Sequence, residues 1–251
     1  MTTFTPQILR FDSLPSTNLE AATRAIEGAD EGLCIVAGEQ TSGRGRLGRQ
    51  WISLPGAGIF FSVVLRPEFD QTVWPLITLL ASIAVQETLL EACELQTDIK
   101  WPNDILHDEK KLCGILAETV ETNRGRAVIV GIGINLTKAA LPRELESVAT
   151  SVEAATKRAP DMELVIETLR RCFMTRYRDM KSPTGSSEVV RDWSQRSSYA
   201  SGKRITVSES DDKFAGTTRG IEPDGALRVE TETGEIRIVR AGDVSVRAVV
   251  S

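Results

Sequence analysis

The chain has one histidine, two tyrosines and four cysteines in 251 residues, and each shortage narrows what it can be. The lone His107, followed by Asp108, reads as a surface residue of a turn. With so little histidine and no D-F-G, the protein-kinase signature set is missing. Cys34, Cys93, Cys113 and Cys172 are widely scattered, with no C-x-x-C pair. This spacing supports neither a zinc site nor a disulfide framework, and it fits reduced thiols in a cytoplasmic protein. Positive charge is short as well: 30 Lys and Arg against 35 Asp and Glu give a net charge of −5. That excludes a bulk electrostatic grip on nucleic acid, so any cationic function must be local. Residues 1–10 lack a basic segment followed by an apolar run, so no leader is read there. We read no apolar stretch as long enough to cross a bilayer, and therefore expect no membrane partner.

What is present is a globular composition, 41% hydrophobic, with length for one large domain or a large and a small one. Ile8 to Phe11 reads as a short strand, and Ser16-Thr17-Asn18 as an N-cap cluster ahead of a helix from Leu19. Cys34 to Ala37 and Ile59 to Leu65 read as buried strands. The run from Pro75 to Cys93 reads as a buried helix opened by its proline. Strands are expected over Asp98–Trp101, Cys113–Glu121 and Ala127–Ile134, the last two joined by a turn at Asn123-Arg124-Gly125. The segment from Pro142 to Arg158 is loosely helical. Asp161 to Met180 has one apolar face at three- and four-residue spacing, and a second helix follows over Ser187–Ser197. Beyond Ser201-Gly202 the texture changes to short alternating strands, up to Ala248, joined by turns such as Pro223-Asp224-Gly225. The expected division is residues 1–200 and 201–251.

The densest chemistry lies in Gly43-Arg44-Gly45-Arg46-Leu47-Gly48-Arg49, with no acid between Thr41 and Trp51. Arginine forks match phosphate and carboxylate, and glycine lets backbone N–H groups approach an anion. The stretch spells G-x-G-x-x-G, but a strand rather than a helix follows, so the dinucleotide fingerprint fails. As a P-loop it lacks the Lys-Ser/Thr pair. A solvated surface loop is the plain alternative. Lys100-Trp101-Pro102-Asn103-Asp104 offers an amide and a carboxylate at the end of a strand, suited to a ribose, a base edge or magnesium. An Asx turn with Trp101 in the core is its alternative. In Lys110-Lys111-Leu112-Cys113-Gly114-Ile115-Leu116 a lysine opens a strand shortly before Gly114 and can point at a ligand near the backbone, or is an exposed hairpin lysine. Val130-Gly131-Ile132-Gly133-Ile134-Asn135 places glycines inside a strand, which marks close approach of a ligand or another backbone, or a bulge.

Taken in order, Ser16-Thr17-Asn18, Gln40 with GRGRLGR and Trp51, KWPND, KLCGIL and GIGIN resemble biotin protein ligase over nearly the whole chain. Phe214-Ala215-Gly216 and Asp224-Gly225-Ala226-Leu227 resemble that family's C-terminal unit. The resemblance implies an α+β fold: a mixed-sheet catalytic domain of the class II synthetase-like type with flanking helices, then a small SH3-like barrel. It implies ATP-dependent activation of biotin to biotinyl-5′-AMP, with Mg2+ as cofactor. Transfer follows to a lysine of a biotin carboxyl carrier protein domain of a carboxylase. Ser16, Thr17, Asn18, Gln40, Arg44, Gly45, Arg46, Lys111 and Gly114 match the biotin-binding positions. Arg46, Arg49, Trp51, Asn103, Asp104, Lys111 and Asn135 match those for ATP. Asp104 is the candidate for Mg2+, and Arg46 and Lys111 are the candidates for catalysis.

Leu47 stands where many relatives carry arginine, and Cys113 where they usually carry a small residue. Cys113 is read as either a reactive thiol near the ligand or a buried, inert one, with the second preferred. No helix-turn-helix region precedes the matched motifs, so no DNA binding is expected. A homodimer is one option left open. Lipoate–protein ligase is the rival enzyme. A non-catalytic RNA-binding or biotin-sensing module is the rival of another class, though no aromatics interleave with the arginines.

Overall fold

The structure is a computed structural model describing residues 7–52, 54–208, 213–240 and 245–248, the last four as backbone. Residues 1–6, over which no leader was expected, lie outside the described residues, as do 209–212, 241–244 and 249–251 of the C-terminal strand region. The larger unit runs β1 (Ile8–Phe11), α1 (Thr17–Ile26), β2 (Cys34–Ala37), β3 (Gly58–Leu65), α2 (Leu76–Cys93), β4 (Asp98–Lys100), β5 (Asp104–His107), β6 (Lys110–Thr122) and β7 (Gly125–Asn135). It continues with α3 (Val152–Thr156), α4 (Met162–Met180) and α5 (Gly185–Arg196). Its strands form one sheet in the order β1-β2-β3-β7-β6-β5-β4. Only β1 and β2 pair in parallel; the other neighbours are antiparallel, so the sheet is mixed.

A second sheet holds β8 (Ser201–Ser208), β9 (Lys213–Ile221), β10 (Leu227–Thr231), β11 (Ile236–Val239) and β12 (Ser245–Ala248). All its pairings are antiparallel, in the order β11-β10-β9-β8-β12. Alternation along β8 and β10 sends Ile205, Val207, Leu227 and Val229 into the core that α2 and the first sheet also fill. The two sheets are joined by a buried hydrogen bond in which the Trp101 indole donates to the Gly225 carbonyl at 3.0 Å.

Helix α2 is apolar over most of its surface, which suits a core helix, while Gln86, Glu87 and Glu91 form its polar side toward the other helices. It lies against β6 with α4 and α5 alongside. One sequence expectation needs correcting here. With 18 residues at a mean hydropathy of 1.5, α2 is long and apolar enough to cross a bilayer by length and composition. In the fold, 67% of it is packed inside the molecule as a core helix.

Other differences are local. Helix α1 starts at Thr17, and the Ser16 side chain makes no cap bond. Strand β5 was not anticipated; four residues between two turns give too short a pattern, and the turn after it puts Asp108 and Glu109 at positive φ. His107 therefore ends a strand, with Nδ1 3.0 Å from the Gln96 carbonyl oxygen. The stretch from Pro142 resolves into a 3-10 turn, Arg143–Leu145, and the short α3.

Candidate functional site

One face of the central strands changes character along its length. On β7, Ala127 and Ile129 pack under α1 beside Ala21, Ala25, Ile35 and Val64. The next two positions on that face are Gly131 and Gly133. Gly131 pairs with Ser62 on one side and Leu116 on the other, and Gly133 with Phe60 and Gly114. Where α1 begins, β7 therefore carries no side chains on this face and its backbone becomes part of a floor. A cleft of about 200 Å³ sits on it.

The glycines are required by what lies on them. A Cβ at Gly131 would fall 2.1 Å from Asn18 Oδ1, and one at Gly133 2.7 Å from the Trp51 indole. A Cβ at Gly114 would meet the same indole at 2.8 Å. These strand glycines make room for side chains of this chain, Asn18 and Trp51, and the β6–β7 register runs through them without a bulge.

At one end of the cleft, the N-terminal turn of α1 brings in buried Ser16, Thr17 and Asn18. Gln40 Oε1 accepts from the Thr17 amide at 2.8 Å and from Thr17 Oγ1 at 3.1 Å. Asn18 Nδ2 donates to the Leu116 carbonyl at 3.2 Å and to Glu118 Oε2 at 2.7 Å. Ser62 Oγ bridges Asn18 Oδ1 at 2.7 Å and Thr17 Oγ1 at 2.8 Å. Both amide protons of Asn18 are spent, so only its carbonyl oxygen retains capacity, as an acceptor. Ser16, free of capping, turns its side chain to the cleft.

The Gly/Arg loop forms the roof. It is a small hairpin closed by Gly45 N donating to the Arg49 carbonyl at 2.7 Å and Trp51 N to the Gly43 carbonyl at 2.9 Å. Its tip, Arg46–Gly48, is a 3-10 turn with Leu47 at φ 57 and Gly48 at φ 68. Leu47 in the left-handed region is unusual for a branched apolar residue. Its side chain lines the cleft while remaining half exposed. Arg46 Nη1 donates to Asn103 Oδ1 at 3.1 Å, and Asn103 Nδ2 donates to the Ile115 carbonyl at 2.8 Å. The amide of Asn103 is thereby oriented to present its oxygen to Arg46.

Opposite stand Lys111 and Asp104, with Nζ and Oδ1 2.6 Å apart. Lys111 Nζ also lies 5.4 Å from the centre of the Trp51 ring. Main-chain bonds from Lys111 N to the Val148 carbonyl and from Thr150 N to the Lys111 carbonyl, each 2.9 Å, fix this lysine's backbone. The Trp51 indole nitrogen is buried without a hydrogen-bond partner. Such a donor marks a place where a ligand acceptor would be welcome.

The structure brings Ser16, Thr17, Asn18, Gln40, Arg44, Gly45, Arg46, Arg49, Trp51, Asn103, Asp104, Lys111 and Gly114 around one cleft. Asn135 stands apart from this set. It does not line the cleft but is buried at the end of β7, where Nδ2 donates to the Thr150 carbonyl at 3.0 Å. It thus holds the segment that pairs with Lys111. Trp101 is in the core while Asn103 and Asp104 reach the cleft, so both readings of that motif apply to different residues. Two residues were missed. Ser62 had a signal, a lone hydroxyl in the apolar run Gly58–Leu65. Glu118 had none beyond being an acid on a strand. The Cys113 thiol is fully buried next to the cleft, and burial pushes its pKa well up, which makes it unreactive.

Arginine, lysine and carboxylate around a glycine floor define a site for a small acid and a phosphate-bearing partner. The comparisons agree. Residues 9–135 match the model of the biotin/lipoate A/B protein ligase family, and residues 200–247 that of the biotin protein ligase C-terminal domain. The chain is 40% identical to the bifunctional ligase/repressor BirA of Bacillus subtilis over 239 residues, covering 93% of this chain and 72% of that protein. It is 33% identical to the biotin–[acetyl-CoA-carboxylase] ligase of Mycobacterium tuberculosis over 235 residues, 91% of this chain and 85% of that one. Among solved structures, biotin protein ligase from Aquifex aeolicus in complex with biotin and ATP superposes with a TM-score of 0.85. That alignment is 28% identical and covers 98% of this chain and all of the other. The chain belongs to the biotin/lipoate A/B protein ligase family, and within it to the biotin protein ligases.

Proposed function

We propose that this cleft activates biotin with ATP, forming biotinyl-5′-AMP and pyrophosphate, and that the biotinyl group then passes to a lysine of a biotin carboxyl carrier domain. The observation that carries the reading is the meeting of Arg46, Lys111 and Asp104 with the Ser16–Asn18 turn and Gln40 in one cleft. Joining a carboxylate to the α-phosphate sets anion against anion. Fixed cations that follow the charge relieve this, each worth roughly 10²–10³ in rate.

In this reading Lys111 and Arg46 stand over the reacting carboxylate and phosphate, and Asn103 orients Arg46. The buried turn at Ser16, Thr17 and Asn18, with Gln40, takes the ureido ring. Trp51, Arg49 and Asn103 take the nucleotide side. Asp104 would be the protein carboxylate that holds Mg2+ beside the nucleotide phosphates, where the ion would offset their charge. One carboxylate suffices for an ion that keeps most of its ligands as water and phosphate. The acceptor is a carboxylase's carrier domain, in keeping with the names of the relatives. The four cysteines, unbridged and buried, support the cytoplasmic location that comes with this reading.

Biotin is favoured over lipoate because the second matched model and the named relatives are those of biotin ligases. The test is to mix protein, ATP, Mg2+ and either biotin or lipoate, then to assay bound adenylate by mass spectrometry and labelling of a carrier domain. Biotinyl-adenylate and carrier labelling from biotin alone are expected. Adenylate from lipoate alone, or none from either acid, would overturn the proposal.

A further inference from the structure

Glu118 is an acid beside a cleft meant for two anions. Electrostatically it is out of place there unless its charge is used for something else. Its Oε2 accepts from two donors that belong to different parts of the site. One is Asn18 Nδ2 at 2.7 Å, from the first turn of α1; the other is Arg44 Nη2 at 3.2 Å, from the Gly/Arg loop.

Resting on the biotin-ligase reading above, we propose that Glu118 is a positioning residue that fastens the Gly/Arg loop to the biotin-reading side chain Asn18. The loop is otherwise held to the cleft by Arg46 on Asn103 and by main-chain bonds at its stem. Glu118 supplies a second attachment near the start of the loop. It also decides which way the Asn18 amide points. An acceptor-only carboxylate draws the NH2 group, the Leu116 carbonyl takes the second proton, and the amide oxygen is left over Gly131 next to Ser62 Oγ. An oxygen so placed suits a ureido N–H. One carboxylate therefore links the recognition of the vitamin to the fastening of the roof over the activated product.

The two functions separate by substitution. Glu118→Gln can still accept from Asn18 through its amide oxygen, but it carries no charge to hold Arg44. This pair is partly exposed, its side chains showing 48% and 34% of their surface, so the loss is modest. We expect release of biotinyl-adenylate about threefold faster, with KM for biotin nearly unchanged. Glu118→Ala also loses a charge-assisted bond to Asn18. We expect release about tenfold faster and KM for biotin raised by a similar factor, with KM for ATP within about twofold of wild type. Arg44→Ala should speed release as Glu118→Gln does, and the Arg44→Ala/Glu118→Gln double variant no further.

Adenylate release is measured by stopped-flow chase, and thermal melting confirms folding. Release from folded Glu118→Gln at the wild-type rate, or effects of Arg44→Ala and Glu118→Gln that multiply, would overturn the inference. Wild-type protein that makes adenylate while the Glu118 variants behave like it sinks this inference alone. Wild-type protein that makes none sinks the proposed function and this inference with it.

Discussion

The two faces of strand β7 were built by the same chain and chosen by opposite needs. On one face Val128, Val130, Ile132 and Ile134 belong to the main core, which α2 also fills. On the other, Ala127 and Ile129 begin the same way and then give out into Gly131 and Gly133. The first face gains stability from every methyl group it buries, about 25 cal/mol per Å² of apolar surface. The second gives up that gain along two residues so that Asn18 and Trp51 can lie on the backbone. The contrast teaches that the site is a defect made in a sheet that could have been a continuous core. The hydrogen bonds among Asn18, Thr17, Ser62 and Gln40 offset the cost of burying these polar groups there.

The sharpest way to test this division is to damage the polar side where charge is handled. Lys111→Ala removes the cation paired with Asp104. Biotin-dependent pyrophosphate exchange should fall by about 10²–10³ with little change in melting temperature. Exchange near the wild-type rate would detach Lys111 from the chemistry.

Next come the glycines. Gly131→Ala forces Asn18 from its place and should raise KM for biotin about tenfold, since a buried polar group loses its partners. Gly133→Ala presses on Trp51 instead, and its larger effect should appear in KM for ATP. On the opposite face, Ile134→Val should cost about 0.5–1.5 kcal/mol in denaturant unfolding and leave both KM values alone. If the glycine variants lost stability but kept their KM values, the two faces would not differ in purpose.

How far the sequence could be read follows the same line. The apolar face was plain as strand and helix: the run Gly58–Leu65, the helix Leu76–Cys93 and the spacing in Met162–Met180 were each legible, though only the fold shows Leu76–Cys93 to be a core helix. The polar cleft was visible as a set of motifs, because arginine, glycine and amide residues cluster in short stretches. Its internal wiring was not. Glu118 is 100 residues from Asn18 and 74 from Arg44, so no local pattern could join them. The partner of Asn135 was hidden for a related reason: its amide donates to the Thr150 carbonyl, 15 residues further on. Strand β5 failed on length alone.

The roof offers a gentler probe. Loop closure over ligand predicts that trypsin cuts after Arg44, Arg46 and Arg49 more slowly once biotin and ATP are bound, by about tenfold at saturating ligand. The sites of α4, Arg170, Arg171, Arg176 and Arg178, should show little difference. Equal protection in both regions would mean that the ligand stiffens the whole molecule rather than its roof.

The smallest effect belongs to the apolar face and appears only in alkali. Cys34 packs on the core side of β2, and burial pushes its thiol up to about 12 from an ordinary 9.0. A folded-state pKa raised above the unfolded one means that the unfolded chain gives up the proton first. The stabilisation is then complete below pH 9 and is lost progressively as pH rises toward 12. The urea midpoint should therefore hold steady from pH 7 to 8.5 and decline above that, and the decline should be shallower in Cys34→Ala. A decline equally steep in that variant would assign the alkaline loss to other groups, such as the buried hydroxyl of Tyr177, which is also shifted up.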